Sequence, residues 1–129
     1  MATIQRFEDL EIWQEARRLF NEIKNIVIAT GLKNDFKLKD QIKGASGSVM
    51  DNIAEGFKRD GNLEFRQFLS ITKGSAGETR SQLYRVYDSE YISEEKLKSL
   101  ANDYEQLSKR IAAFISYLNK KDFKGNKFK

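Results

Sequence analysis

Apolar side chains recur at steps of three and four along four stretches of this chain, and no proline interrupts them anywhere in its 129 residues. That spacing lays an apolar stripe along one side of an α-helix. Proline, the residue that most often breaks a helix, is absent, so each stripe is free to run long. The last stretch is the most regular: Leu97, Leu100, Tyr104, Leu107, Ile111, Phe114 and Leu118 alternate three and four throughout. It reads as a heptad seam.

Two middle stretches carry the same signal. Leu38, Ile42, Ala45, Val49 and Ile53 mark a helix over residues 38–61. Phe65, Phe68, Leu69, Thr72 (through its methyl), Ala76, Leu83 and Val86 mark another over 62–90. Between them, Arg59-Asp60-Gly61-Asn62 is expected to stop one helix at Gly61 and cap the next with Asn62. So short a connection makes the two helices antiparallel neighbours. Near the N-terminus, Trp13, Ala16, Phe20, Ile23 and Val27 form the centre of a stripe widened by Ile12, Leu19 and Ile26. Residues 1–8 read as an irregular lead-in, Asp9 as the cap of this helix with Glu11 in its first turn, and Gly31 as its end. Asn34 or Asp35 is expected to cap the second helix, and Ser93 the fourth, with Glu94 and Glu95 in the positive first turn. The prediction is an all-α protein, an antiparallel up-down four-helix bundle over residues 1–120 with a basic, frayed tail over 121–129.

Composition removes several kinds of chemistry. There is no His and no Cys, so the commonest general base, the commonest transition-metal ligand and every thiolate reaction are missing. No apolar run approaches the roughly 20 residues of a membrane span, and the N-terminus lacks a signal-peptide core, so a cytoplasmic protein with no membrane partner is expected. The net charge is +4, and Lys120, Lys121, Lys124, Lys127 and Lys129 against Asp122 account for all of it. The basic excess belongs to the tail rather than the bundle.

Glycines inside helices call for a cause, because each costs about 1 kcal/mol relative to alanine. Gly44 and Gly47 in the second helix and Gly74 and Gly77 in the third all fall on the side away from the apolar seam. Contact with another subunit is the first expectation; local irregularity and the close approach of a ligand stay open. Neither glycine cluster has the lysine and preceding strand of a phosphate-binding loop. Glu55 and Glu78 suggest a carboxylate metal site only weakly, since di-iron bundles pair Glu with His; a buried or interface ion pair with Arg59 or another base is the expectation for them. No serine–lysine pair stands out as a nucleophile, so no cofactor and no catalytic residue is assigned.

Arg66, Lys73 and Arg80 recur every seven residues and therefore share a face, among Gln67, Ser70, Ser81 and Tyr84. This is either a phosphate-tracking stripe or a solvated or intersubunit row of charge. The lysines of the tail, interleaved with Phe123 and Phe128, are the stronger candidate for RNA or DNA.

Phe7-Glu8-Asp9-Leu10-Glu11-Ile12-Trp13-Gln14, Gln41-Ile42, Asn52-Ile53-Ala54-Glu55-Gly56 with Arg59, Phe65, Phe68-Leu69, Gly74-Ser75, Glu78 and Gln82-Leu83 together resemble a known family. They are similar to the four-helix-bundle proteins encoded by intervening sequences in bacterial 23S ribosomal RNA genes. Relatives of that family include the accessory variability determinant proteins of diversity-generating retroelements. The resemblance spans almost the whole chain and departs from the usual pattern where Gly44 and Gly47 stand in place of an Arg and an Ala. It implies a homopentamer, no catalytic activity, and a role in binding RNA or DNA. The alternative is a structural adaptor that docks a partner protein, such as a reverse transcriptase, on the oligomer surface.

Overall fold

The computed structural model describes residues 4–121, which form four long helices: α1 (Glu11–Ala29), α2 (Phe36–Lys58), α3 (Asn62–Asp88) and α4 (Glu94–Lys120). Side-chain contacts define their directions. Asn62 meets Leu118, and Arg80 meets Glu105, so α3 and α4 run in opposite senses. Ser48 meets Ser75 and Gln41 meets Arg85, which sets α2 against α3 in the same way. Glu22 meets Lys96 and Arg18 meets Asp103, so α1 and α4 close the bundle antiparallel. The expected up-down bundle is the fold.

The most extensive packing is between α2 and α3. A side chain at Gly56 would make that packing impossible, because an added Cβ would stand 2.6 Å from the Phe68 Cβ and 2.9 Å from the Phe65 ring. The two helices therefore meet almost backbone to side chain at this level. Phe65 then packs edge-on against Phe57 of α2, at 6.0 Å between centroids, and against Phe114 of α4, at 5.6 Å. Farther along, small polar residues keep the pair close. The Thr72 hydroxyl lies 3.4 Å from the Val49 carbonyl, and the Ser48 and Ser75 hydroxyls are 3.0 Å apart. Leu19, Ile23, Ile42, Val49, Ile53, Leu69, Leu83, Leu107 and Ile111 are fully buried in the centre.

Several local expectations change. Asp9 does not cap α1. Residues Phe7–Asp9 form a 3-10 turn that packs Phe7 edge-on against Trp13 at 5.1 Å, and α1 starts after Leu10 with no side-chain cap. Trp13 and Phe20 are half-buried, while Ile12, Leu19 and Ile26 are buried, so the centre of the α1 stripe is rotated toward the residues read as its flanks. The helix ends at Ala29 rather than Gly31; Thr30 stops it, and its hydroxyl accepts from the Leu32 amide in a second 3-10 turn. Asp35 stands at the start of α2 but caps nothing, since its carboxylate accepts a hydrogen bond from the Tyr91 hydroxyl at 3.0 Å. Lys58 ends α2 before Gly61, whose φ of +127° is the left-handed turn that only glycine adopts freely. Asn62 is inside α3 rather than capping it, and α3 stops at Asp88, two residues short of Glu90. Ser93 caps α4 as expected, accepting from the Lys96 amide at 3.1 Å.

Tyr104 is the one fully buried tyrosine, and its hydroxyl has no partner among the described residues. Burial pushes that phenol well above its ordinary pKa, so it stays neutral. A buried hydroxyl without a partner contributes nothing that an apolar isostere lacks. Tyr104→Phe should therefore leave chemical-denaturation stability unchanged or raise it by about 1 kcal/mol. A loss of more than that would mean that the hydroxyl is satisfied. Gly56→Ala, in contrast, should cost about 1–3 kcal/mol by overpacking against Phe65 and Phe68, and a stability gain of the ordinary glycine-to-alanine kind would disprove the close approach.

Candidate interaction surfaces

The sevenfold spacing of Arg66, Lys73 and Arg80 does put them on one flank of α3, and that flank borders α4. Arg66 donates from Nε to Asn62 Oδ1 at 2.9 Å and from Nη1 to Asn119 Oδ1. Asn62, buried, donates in turn to the Leu118 carbonyl at 2.8 Å and ties the start of α3 to the end of α4. Arg80 reaches Glu105 of α4 at 3.7 Å, and its Nε is buried. Two of the three bases thus serve the α3–α4 contact, and Lys73 is exposed, with no ion pair among the described residues. The α3–α4 contact holds Arg66 and Arg80 half-buried on that flank. The clue lay in α4, where Glu105 and Asn119 are spaced to meet Arg80 and Arg66 across an antiparallel pair.

Lys120 and Lys121 are exposed at the end of α4, with the Lys121 ammonium 5.8 Å from the centre of the Tyr117 ring. Lys124, Lys127 and Lys129 lie outside the described residues.

The glycines divide. A Cβ at Gly44, Gly74 or Gly77 would meet nothing within 4 Å, so these three face open space as expected. Gly47 does not: it turns toward α1, and a Cβ there would sit in ordinary contact with the Phe20 ring at 3.7 Å. The family-motif residues occupy the same hairpin. Asn52 donates to the Ser48 carbonyl at 2.9 Å and to its hydroxyl at 2.7 Å, and through Ser48 it is linked to Ser75. Glu55 pairs with Arg59 at 3.0 Å, as the sequence suggested, but both are exposed. Arg59 also stacks over the Phe68 ring at 5.2 Å. Glu78 is exposed and makes no ion pair among the described residues.

Between α2 and α3, on their outer side, the missing side chain at Gly44 leaves a groove of about 510 Å³. Ser48, Ser75, Glu78, Gln82 and the Gln41–Arg85 pair, joined at 2.9 Å, line it. Apolar periodicity gave no sign of Ser75 or Gln82, since it counts polar residues as outward, yet both are buried. Among the described residues no cluster of three or more Asp or Glu is arranged to hold a metal ion, and no helix is long and apolar enough to cross a membrane.

These features define a small antiparallel helical bundle whose unusual chemistry is on the outer face of its central hairpin. The chain belongs to the 23S rRNA-intervening sequence protein family, whose model matches residues 8–113. Its fold is similar to the crystal structure of a protein of unknown function from the S23 ribosomal protein family of Bacteroides thetaiotaomicron VPI-5482. The two are 25% identical with a TM-score of 0.73, and the match covers 81% of this chain and 95% of that one. No curated protein matches the chain.

Asn62 generates a prediction that separates structural from exposed polar residues on α3. Asn62→Ala removes two hydrogen bonds, its donation to the Leu118 carbonyl (which keeps the Lys121 amide) and its acceptance from Arg66, and it should cost about 1–3 kcal/mol. Lys73→Ala should change stability by less than about 0.5 kcal/mol. Equal effects in urea denaturation would contradict this assignment.

Proposed function

We propose that the protein is a non-enzymatic, self-associating bundle that holds RNA or DNA through the lysine-rich ends of its fourth helices. The observation that carries this reading is the open space at Gly44, Gly74 and Gly77. The protomer gains nothing from these glycines, each of which weakens its helix, whereas a neighbouring copy could approach them backbone to backbone. Leu63, Ile71 and Tyr84, all more than half exposed on α3, add apolar area to the same helix. The family resemblance supports five copies.

Assembly also bears on the charge. Residues 120–129 of one copy carry +4, a weak ligand for phosphate. Five tails on one ring would gather about twenty positive charges, and linked sites bind more tightly without any new contact. Such binding displaces counterions, so it falls steeply with salt and reads little sequence. A second reading, an adaptor for a partner protein, is favoured by Ile28 and Phe36, which are 62% and 65% exposed.

Light scattering tests the assembly. The mass should be a multiple of 15.0 kDa, near five. Gly74→Leu should reduce it to the monomer while circular dichroism keeps its helical signal. A monomeric wild type would overturn the reading. In a mobility-shift assay on RNA and DNA at low salt, changing the five tail lysines to glutamine should weaken binding far more than Lys73→Glu. No shift with the intact assembly would leave the adaptor.

A further inference from the structure

No base stands between Arg85 and Lys96, a stretch that holds Asp88, Glu90, Glu94 and Glu95. Two of these acids sit where the protomer gains least from them. α3 ends at Asp88, and Glu90 follows two residues later with a φ of +65°. Carboxylates are unfavourable at a helix C-terminus, where the peptide dipoles leave negative charge. A φ in the left-handed region suits glycine far better than glutamate. Both side chains are exposed, and neither makes an ion pair among the described residues. Arg85, the base in the last turn of α3, is turned aside to Gln41. A positive partner from outside the protomer would account for both acids.

Asp88 and Glu90 border an open recess of about 720 Å³, walled also by Tyr87, Tyr91 and Ile92, all half-buried. Tyr91 fixes its shape. The ring lies against Gly31, 3.1 Å from where a Cβ there would stand, and the hydroxyl donates to Asp35 at 3.0 Å. The α3–α4 turn is thereby tied to the α1–α2 turn, and the recess is formed before any partner arrives. Lys33, Lys37 and Lys39 share this end of the bundle, with Lys39 held over the Phe36 ring at 4.8 Å, but none of them lines the recess. Two carboxylates beside aromatic and aliphatic surface suit a peptide in which lysines and aromatic residues alternate.

One segment of this chain has that composition. Residues 120–129 carry +4, with Phe123 and Phe128 among the lysines. They begin at the opposite end of the bundle. α4 starts at Glu94, beside the recess, and runs 27 residues to Lys120, about 40 Å of helix. Fully extended, the residues after Lys121 would span at most about 29 Å. A tail therefore cannot reach the recess of its own protomer.

We infer that the recess at the α3–α4 turn binds the C-terminal tail of a second copy, with lysines against Asp88 and Glu90 and a phenylalanine against Tyr87, Tyr91 and Ile92. The inference goes beyond the nucleic-acid reading and does not rest on it. A tail seated in the recess cannot hold phosphate at the same time, so the acidic end and nucleic acid compete for one segment. It is also separate from the contact at Gly44, Gly74 and Gly77, none of which lines the recess.

The test uses full-length protein in a mixed sample. One batch carries a nitroxide on Asn126→Cys, its only thiol, and the other is isotope-labelled and otherwise unmodified. At low salt, the nitroxide should broaden the amide signals of Asp88–Ser93 in the isotope-labelled copies, and the broadening should fade as salt rises. Asp88→Asn combined with Glu90→Gln in the isotope-labelled copies should abolish it. The same double variant should bind RNA and DNA at least as well as the wild type in a mobility-shift assay, so the two readings fail separately. Glu90→Gly relieves the backbone, so it should raise the thermal midpoint while weakening the broadening. Absence of broadening at 88–93, or broadening there that persists in the double variant or at high salt, overturns the inference.

Discussion

Everything in this bundle follows from how closely α2 and α3 approach at Gly56. With the Phe68 Cβ only 2.6 Å from where a Cβ would stand, no other residue permits that separation. The close approach brings the Phe65 ring between Phe57 and Phe114, so three helices share one aromatic contact. It also brings the Thr72 and Ser75 hydroxyls within reach of Val49 and Ser48. α4 then completes the core through its heptad seam. α1 closes the bundle with solvent-accessible ion pairs to α4, Glu11–Arg110, Arg18–Asp103 and the half-buried Glu22–Lys96, whose energies are small singly. A short separation held by small side chains also has an outward consequence. Where α2 and α3 carry glycine and serine, their outer side is a shallow polar surface instead of a hedge of long charged residues.

Glycine thus has two opposite uses on one hairpin. At Gly56 its missing side chain is required inside the protomer, while at Gly44, Gly74 and Gly77 the protomer has no use for it. Helix stability alone would favour alanine at the three outer positions by about 1 kcal/mol each.

Much of this was legible in the residues. The α4 seam needed only counting, because Leu97 through Leu118 put an apolar residue at every third or fourth position. Family membership was legible from ordered motifs over most of the chain, and the outward position of Gly44, Gly74 and Gly77, though not of Gly47, from their angle to the seam. What could not be read has identifiable causes. Trp13 and Phe20 carry large rings that dominate a periodicity, yet they reach the core from its edge while the smaller Ile12 and Leu19 fill it. Asp9 looked like a cap until Phe7 packing on Trp13 drew it into a 3-10 turn. The spacing of Arg66 and Arg80 established a common flank but not the neighbour it meets, which depends on the register of α4. Ser75 and Gln82 stood among the family motifs, but their burial was missed because a polar residue in a pattern of apolar ones is read as exposed.

The central claim is that one face of the α2–α3 hairpin holds the fold and the opposite face is covered by another copy. The chain has no cysteine, so a single introduced thiol can carry a nitroxide spin label without a background. Ser70→Cys places it on the outer side of α3, and Asn25→Cys on exposed α1. The account predicts that, in the native assembly, the label at 70 is immobilised and shielded from a water-soluble relaxant, while the label at 25 remains mobile and accessible. Equal mobility and equal access at the two positions would contradict it.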